Sequence, residues 1–243
     1  EAITIMDAII DDTLDREATR GGGHFLLAYG HRGGSAVEPP RSIFVDGEIA
    51  LMIAARRFVA EKPAYKRYLA ERIAIMVPRM RQSPVLCAES YPGECWLFCN
   101  TVALAAVCMG DALDGTDHSD LLASWVRTAK ADLADPQTGI LISAFGVDGT
   151  PAPAAPGPEG SSIWMSAHML EVIDPELARD QYRRARRVLG RSLLGFGYSR
   201  EWPRGREEEM DIDSGPVVPL LGASASASGL AVLAAAAKIV QPS

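Results

Sequence analysis

Apolar residues return at helical spacing along nearly the whole chain, and they do so in two alternating styles. In Ile3 to Glu17, residues Ile5, Met6, Ile9, Ile10 and Leu14 fall on one face and acids on the other, and Arg20-Gly21-Gly22-Gly23 stops the run. This predicts an amphipathic surface helix. The glycine triplet follows no strand, so it reads as a helix stop and not as a phosphate cradle. His24 to His31 is short and aromatic, with more extended or loop character than helical, and Pro39-Pro40 marks a loop. Phe44 to Glu61 opens with Asp46-Gly47-Glu48 and is filled by Ile49, Ala50, Leu51, Met52, Ala54 and Ala55, which predicts a buried helix. Ala64 to Arg81 turns Tyr68, Leu69, Ile73, Ile75 and Met76 inward and Lys66, Arg67, Glu71 and Arg72 outward, the pattern of an outer helix.

The alternation continues. Cys95 to Leu113 is small and apolar all round, and Ser119 to Leu133 is amphipathic. A Gly/Pro-rich segment, Asp135 to Gly160, contains a candidate strand at Ile140 to Val147. Ser161 to Ile173 is apolar again, and Pro175 to Leu194 carries Arg179, Arg183, Arg184, Arg186 and Arg187 on its wet side. After a loop from Gly195 to Leu221, a small-residue helix starts at Ala223. Inner helices crowd together and need Ala, Ser and Gly, whereas outer helices keep one solvated face. The fold predicted is therefore all-α, an (α/α) toroid forming one domain over residues 1–243, with fewer helices than a complete ring of six pairs.

In such a ring the openings of the inner helices meet at one end of a central cavity. Those openings carry the polar chemistry: Asp46 and Glu48 for the first, Tyr91 to Asn100 for the second, Ser161, Ser162 and Trp164 for the third, and Asp211, Asp213, Ser214 and Ser224 for the last. The second is the densest. Tyr91-Pro92-Gly93-Glu94-Cys95-Trp96-Leu97-Phe98-Cys99-Asn100 runs from a Pro-Gly turn into the helix. If Cys95 opens that helix, Cys95 and Cys99 share one face, beside first-turn N–H groups that favour thiolates.

Composition narrows the partners. A net charge of −7 excludes a nucleic-acid surface and leaves a small molecule as the expected ligand. The apolar run Ala223 to Val240 is broken by Ser224, Ser226, Ser228 and Gly229, so no membrane span is expected and the segment reads as a buried helix. Further copies of the same chain are the one macromolecular partner anticipated, as a homo-oligomer. Cys87, Cys95, Cys99 and Cys108 lie close together in sequence, which does not resemble an extracellular disulfide framework and favours reduced thiols and the cytoplasm over the periplasm. Zinc is not expected, because the Cys95/Cys99 pair lacks a second pair of ligands.

Three stretches resemble the linalool dehydratase/isomerase family of α/α toroids: Phe44-Val45-Asp46-Gly47-Glu48, the Cys99-Asn100 pair, and Asp213-Ser214-Gly215-Pro216-Val217 before a Ser/Ala-rich helix. The resemblance implies an apolar cavity in which cysteine, histidine, tyrosine and aspartate side chains remove a hydroxyl group as water, with no metal or organic cofactor. Cys99 matches a cavity cysteine of that family. Its second, upstream cysteine falls nearest to Ser90 by spacing.

On this reading Cys95, Cys99, Asp213, Tyr91, Glu48 and His31 are candidate catalytic residues, and Trp96, Asn100, Trp164, Asp46 and His24 are candidate substrate contacts. Each has a plainer reading. Buried cysteines are commonly inert, Cys87 and Cys108 above all; Asp213 and Glu48 suit capping or turn positions; His24 and His31 suit loop positions. His168, beside Met165 and Met169, reads as packed core. The reaction expected is dehydration or isomerisation of a small, largely apolar, terpenoid-like alcohol. Two alternatives stand beside it: a glycan-processing toroid using Glu48 and Asp213 as acid and base, and a toroid that binds a ligand without catalysis.

Overall fold

The computed structural model describes residues 1–28, 34–36, 39–153, 157–206, 215 and 217–240. Four inner helices, α2 (Ile43–Val59), α4 (Leu97–Asp114), α6 (Gly160–Ile173) and α8 (Ala225–Val240), stand side by side, α2 on α4, α4 on α6 and α6 on α8. Among the described residues no comparable packing joins α8 back to α2, so they form an arc. Outside them lie α1 (Ala2–Arg20) and α3 (Pro63–Gln82) against α2, α5 (Ser119–Asp132) against α4, and α7 (Pro175–Val188) against α6. This is the α/α toroid pattern.

The two styles of helix follow from what each must bury. Along α4 almost every side chain from Cys99 to Val107 is buried. Its neighbour α2 approaches at Gly47, where an added Cβ would stand 3.2 Å from the Ala103 backbone nitrogen. Larger residues would push the inner helices apart. By contrast α7 buries Leu177, Ala178, Gln181 and Ala185 on one stripe and leaves its arginines outward. Its start is fixed by Asp174, whose Oδ1 accepts from the Leu177 amide at 2.7 Å, with Pro175 in the first turn.

Several expectations are corrected. Cys95 does not open α4: Cys95–Trp96 is a strand, β1, paired antiparallel with β2 (Ala144–Phe145), and the helix begins at Leu97. The expected strand at 140–147 shrinks to β2, because only those residues reach β1. The arginine-rich helix ends at Val188; the chain then forms β3 (Gly190–Leu193) and β4 (Phe196–Arg200), which join β6 (Ala223–Ser224) and β5 (Val217–Val218) in the order β3-β4-β6-β5. Of these, β4 and β5 lie where one long loop was expected, while β3 and β6 replace the end of one expected helix and the start of the next. Finally, among the described residues α4, and not Ala223 to Val240, is the helix long and apolar enough to match a membrane span; it lies mostly buried inside the arc as a core helix.

Candidate functional site

The openings of all four inner helices contribute to a single cavity of about 250 Å³. Phe44 comes from α2, Trp96, Phe98 and Cys99 from the start of α4, Ser161, Ser162 and Met165 from α6, and Ser226 and Leu230 from α8. Tyr91 and Glu159 complete the lining from the turns before α4 and α6. The result is an apolar pocket with a thiol, a phenol, a carboxyl group and three hydroxyls.

A tight turn sets the α4 side. Tyr91-Pro92-Gly93-Glu94 closes with the Glu94 amide donating to the Tyr91 carbonyl at 2.9 Å, and Gly93 takes φ 79°, the type II geometry that a Pro-Gly centre favours. The Gly93 amide also donates to Glu89 Oε1 (2.7 Å), and Ser90 Oγ accepts from the Trp96 amide (3.1 Å). Tyr91 is thereby held against Phe44, ring centroids 6.2 Å apart and nearly parallel.

On the α6 side the chain is held by a carboxylate from across the sheet. The Gly160 amide donates to the Glu201 carbonyl at 2.7 Å, and the Ser161 amide and hydroxyl both donate to Glu201 Oε1, at 2.9 and 2.6 Å. Glu201 is wholly buried. Gly160 is required here: a Cβ would lie 2.4 Å from the Arg200 carbonyl oxygen and 2.9 Å from Ala227 Cβ. Glu159, 1% exposed, donates its amide to Ser143 Oγ at 2.7 Å, which leaves its side chain on the cavity wall.

The structure thus brings together Tyr91, Trp96 and Cys99 and, among the described residues, sets the other candidates apart from them. Cys95 is wholly buried in the hydrophobic core and does not line the cavity; burial, with neighbouring Cys87 and Glu89, pushes its thiol far up, so it is no source of thiolate. Asn100 is a clamp: its Oδ1 accepts from the Ala88 amide (2.8 Å), and its Nδ2 donates to the carbonyls of Ala88 (3.1 Å) and Trp96 (2.9 Å). Trp164 packs edge-on to Tyr182, and its Nε1 donates to Ser199 Oγ at 2.7 Å, behind the cavity. Glu48 is half-buried one turn beyond Phe44, with its carboxyl group pushed up by burial, and it does not line the cavity. His24 is exposed in the 3-10 turn Gly22–Phe25, beside Arg20. His31 and Asp213, with Asp211 and Ser214, lie outside the described residues.

Asp46 faces a second, larger cavity of about 480 Å³, which shares Tyr91 with the first. There Asp46 accepts two hydrogen bonds from Arg41, both 2.7 Å, and pairs with Arg72, which also meets Glu17. These charges satisfy one another. Asp46 is therefore a structural tie between α2 and α3, not a contact for an apolar substrate.

Sequence reasoning missed Glu159 and Glu201. Glu159 stands directly before an apolar helix, where an acid suits the N-terminal dipole, and that was its one readable signal. Glu201 had none, because only the β4–β6 pairing carries it to the start of α6. No cluster of three or more His, Cys, Asp or Glu suited to a metal ion occurs among the described residues.

No curated protein matches the chain. Among solved structures, a polysaccharide lyase is similar over 83% of this chain and 63% of its own, at 14% identity and a TM-score of 0.51. A glycosyl hydrolase family 88 protein from Bacteroides vulgatus is similar over 82% and 62%, at 13% identity and a TM-score of 0.49. The chain spans less than two thirds of either protein, and the likeness to the lyase shows the shared toroid fold. The linalool dehydratase/isomerase family matches over residues 45–194, a span that holds two of the four helix openings at the cavity, those of α4 and α6. Because that match covers well over half of its length, the chain belongs to the linalool dehydratase/isomerase family.

Proposed function

We propose that the protein is a cofactor-independent lyase/isomerase that dehydrates a small, largely apolar, terpenoid-like alcohol in the cavity of about 250 Å³. The observation that carries this reading is the meeting of one carboxyl group, one thiol and one phenol (Glu159, Cys99 and Tyr91) with an apolar wall of Phe44, Trp96, Phe98, Met165 and Leu230. Glu159 gives its proton to the hydroxyl group, the C–O bond breaks and water leaves. The electrons of a neighbouring C–H bond become the new π bond, and its proton returns to the Glu159 carboxylate. One carboxyl group acts first as acid and then as base, so the charge of the site is unchanged at the end. Tyr91 and Cys99 offer the departing water hydrogen-bond partners, and Asp213 is the second candidate for the acid.

The test is incubation with linalool under reducing conditions, with alkene products read by headspace gas chromatography. Alkene release that drops in both Glu159→Gln and Cys99→Ala supports the reading; full activity in both variants, or none in the natural protein, removes it. The likeness to a polysaccharide lyase supports a second reading, glycan processing, and an oligosaccharide turnover screen tests it. Against it stand a small apolar pocket and a thiol with no task in sugar chemistry. A toroid that only binds would show a ligand-induced rise in melting temperature without turnover.

A further inference from the structure

Two adjacent serines open α6 onto the cavity, and their hydrogen bonding differs. Ser161 has committed its hydroxyl proton to Glu201 Oε1 (2.6 Å), so its oxygen can offer the cavity only lone pairs. Ser162 is 6% exposed and its Oγ is buried with no hydrogen-bond partner. Capping of α6 by Glu201 accounts for Ser161, but it leaves Ser162 unexplained. A buried hydroxyl without a partner is costly and is relieved by a ligand oxygen.

We infer that the start of α6 is a hydroxyl-recognition corner: Ser162 Oγ donates to the oxygen of a bound alcohol while the alcohol's own proton goes to Ser161 Oγ, which Glu201 holds as an acceptor. The corner reads a group that accepts and donates at one atom. An alcohol meets both demands, a ketone of the same skeleton meets one, and a hydrocarbon meets neither. Glu201 is a positioning residue here, since it reaches the ligand only through Ser161. Glu159, one position before Gly160, lies beside the corner on the same wall. This inference rests on the cavity being the substrate site proposed above, and it adds which groups of that site choose the substrate.

The experiment is a ligand-observed NMR titration of the natural protein with cyclohexanol, cyclohexanone and cyclohexane, whose shared ring holds the apolar contact nearly constant. Each hydrogen bond made or left unmade is worth roughly tenfold in affinity, so cyclohexanol binds most tightly, cyclohexanone about tenfold more weakly and cyclohexane more weakly again. Ser162→Ala lowers the affinity for the alcohol and the ketone alike, Ser161→Ala lowers it for the alcohol alone, and Ser162→Thr restores it. Melting temperatures of the variants separate loss of binding from loss of fold. Equal affinity for the three ligands, no binding of any, or a Ser161→Ala variant that still prefers the alcohol to the ketone overturns the inference. Preference for the alcohol without turnover of linalool leaves the corner standing and removes the lyase reading; turnover without the preference does the reverse.

Discussion

Two cavities share Tyr91, and they differ in what their polar groups are already doing. The larger, beside α1 and α3, is walled by Glu17, Arg41 and Asp46, and Arg72 ties the two acids together. Each of those charges has an opposite charge in contact. The smaller, at the inner-helix openings, holds Ser162 with an unused hydroxyl and Glu159 beside it against rings and aliphatic chains. Size and charge would select the first as the site; the Ser162 hydroxyl, not spent on the protein itself, selects the second. A buried ion network stabilises the fold against removal of one member, whereas an uncommitted buried group has a use only when a ligand arrives.

Mutation can break that distinction. Glu159→Gln should have the largest effect, a loss of about 10²–10⁴-fold in linalool dehydration, the range for removing a general acid or base, with little change in melting temperature. Asp46→Ala should do the opposite. It strands Arg72 and Arg41 beside a lost partner, and removal of one member of a buried pair costs about 3–5 kcal/mol of stability. Denaturant unfolding should show the loss, while turnover per folded molecule stays near that of the natural protein. A collapse of specific activity in Asp46→Ala, or a large destabilisation in Glu159→Gln, would mean that the two cavities work as one.

Asn100→Ala sharpens the boundary from the other side. The side chain makes three hydrogen bonds to backbone next to the cavity and lines neither cavity. Its loss leaves the buried Ala88 amide and carbonyl unpaired, which costs about 1–3 kcal/mol for each group stranded. Activity should fall only as the folded fraction falls, and urea titration followed by activity at low temperature separates the two.

The alternation of inner and outer helices was legible because it is written in local pattern: all-round small apolar residues in α4, a single stripe in α7. What sequence could not show are contacts made by distant segments. Cys95 and Cys99 were expected on one helix face, but β2 recruits Cys95–Trp96 as a strand and moves the helix start to Leu97. The β3–β4 hairpin turns on Leu194 at φ 51° and Gly195 at φ 85°, a pair of left-handed positions of which only the glycine announces itself. Asn100 beside Cys99 had the look of a ligand contact, and its backbone clamp depends on Ala88 arriving from the preceding loop. Of the cavity residues, Tyr91, Trp96 and Cys99 could be picked out because they crowd one helix opening, whereas Glu159 lay within a segment read as loop.

The smallest effect concerns Glu48, which lies on the inner helix α2 but outside both cavities. Burial alone raises its carboxyl pKa above the ordinary 4.5. An acid whose folded pKa is raised binds its proton more tightly in the native state than in the unfolded one. The stability this contributes is fully present below pH 4.5 and is lost as pH rises through the folded value. Glu48→Gln keeps the shape and removes the titration, so it should melt like the natural protein at acidic pH and higher than it at neutral pH, with the gain appearing above pH 4.5. Were Glu48 instead an acid or base of the reaction, the same variant would lose activity in proportion to Glu159→Gln. A more stable and fully active Glu48→Gln therefore confines the chemistry to the helix openings and assigns the acid one turn deeper in α2 a cost in stability alone.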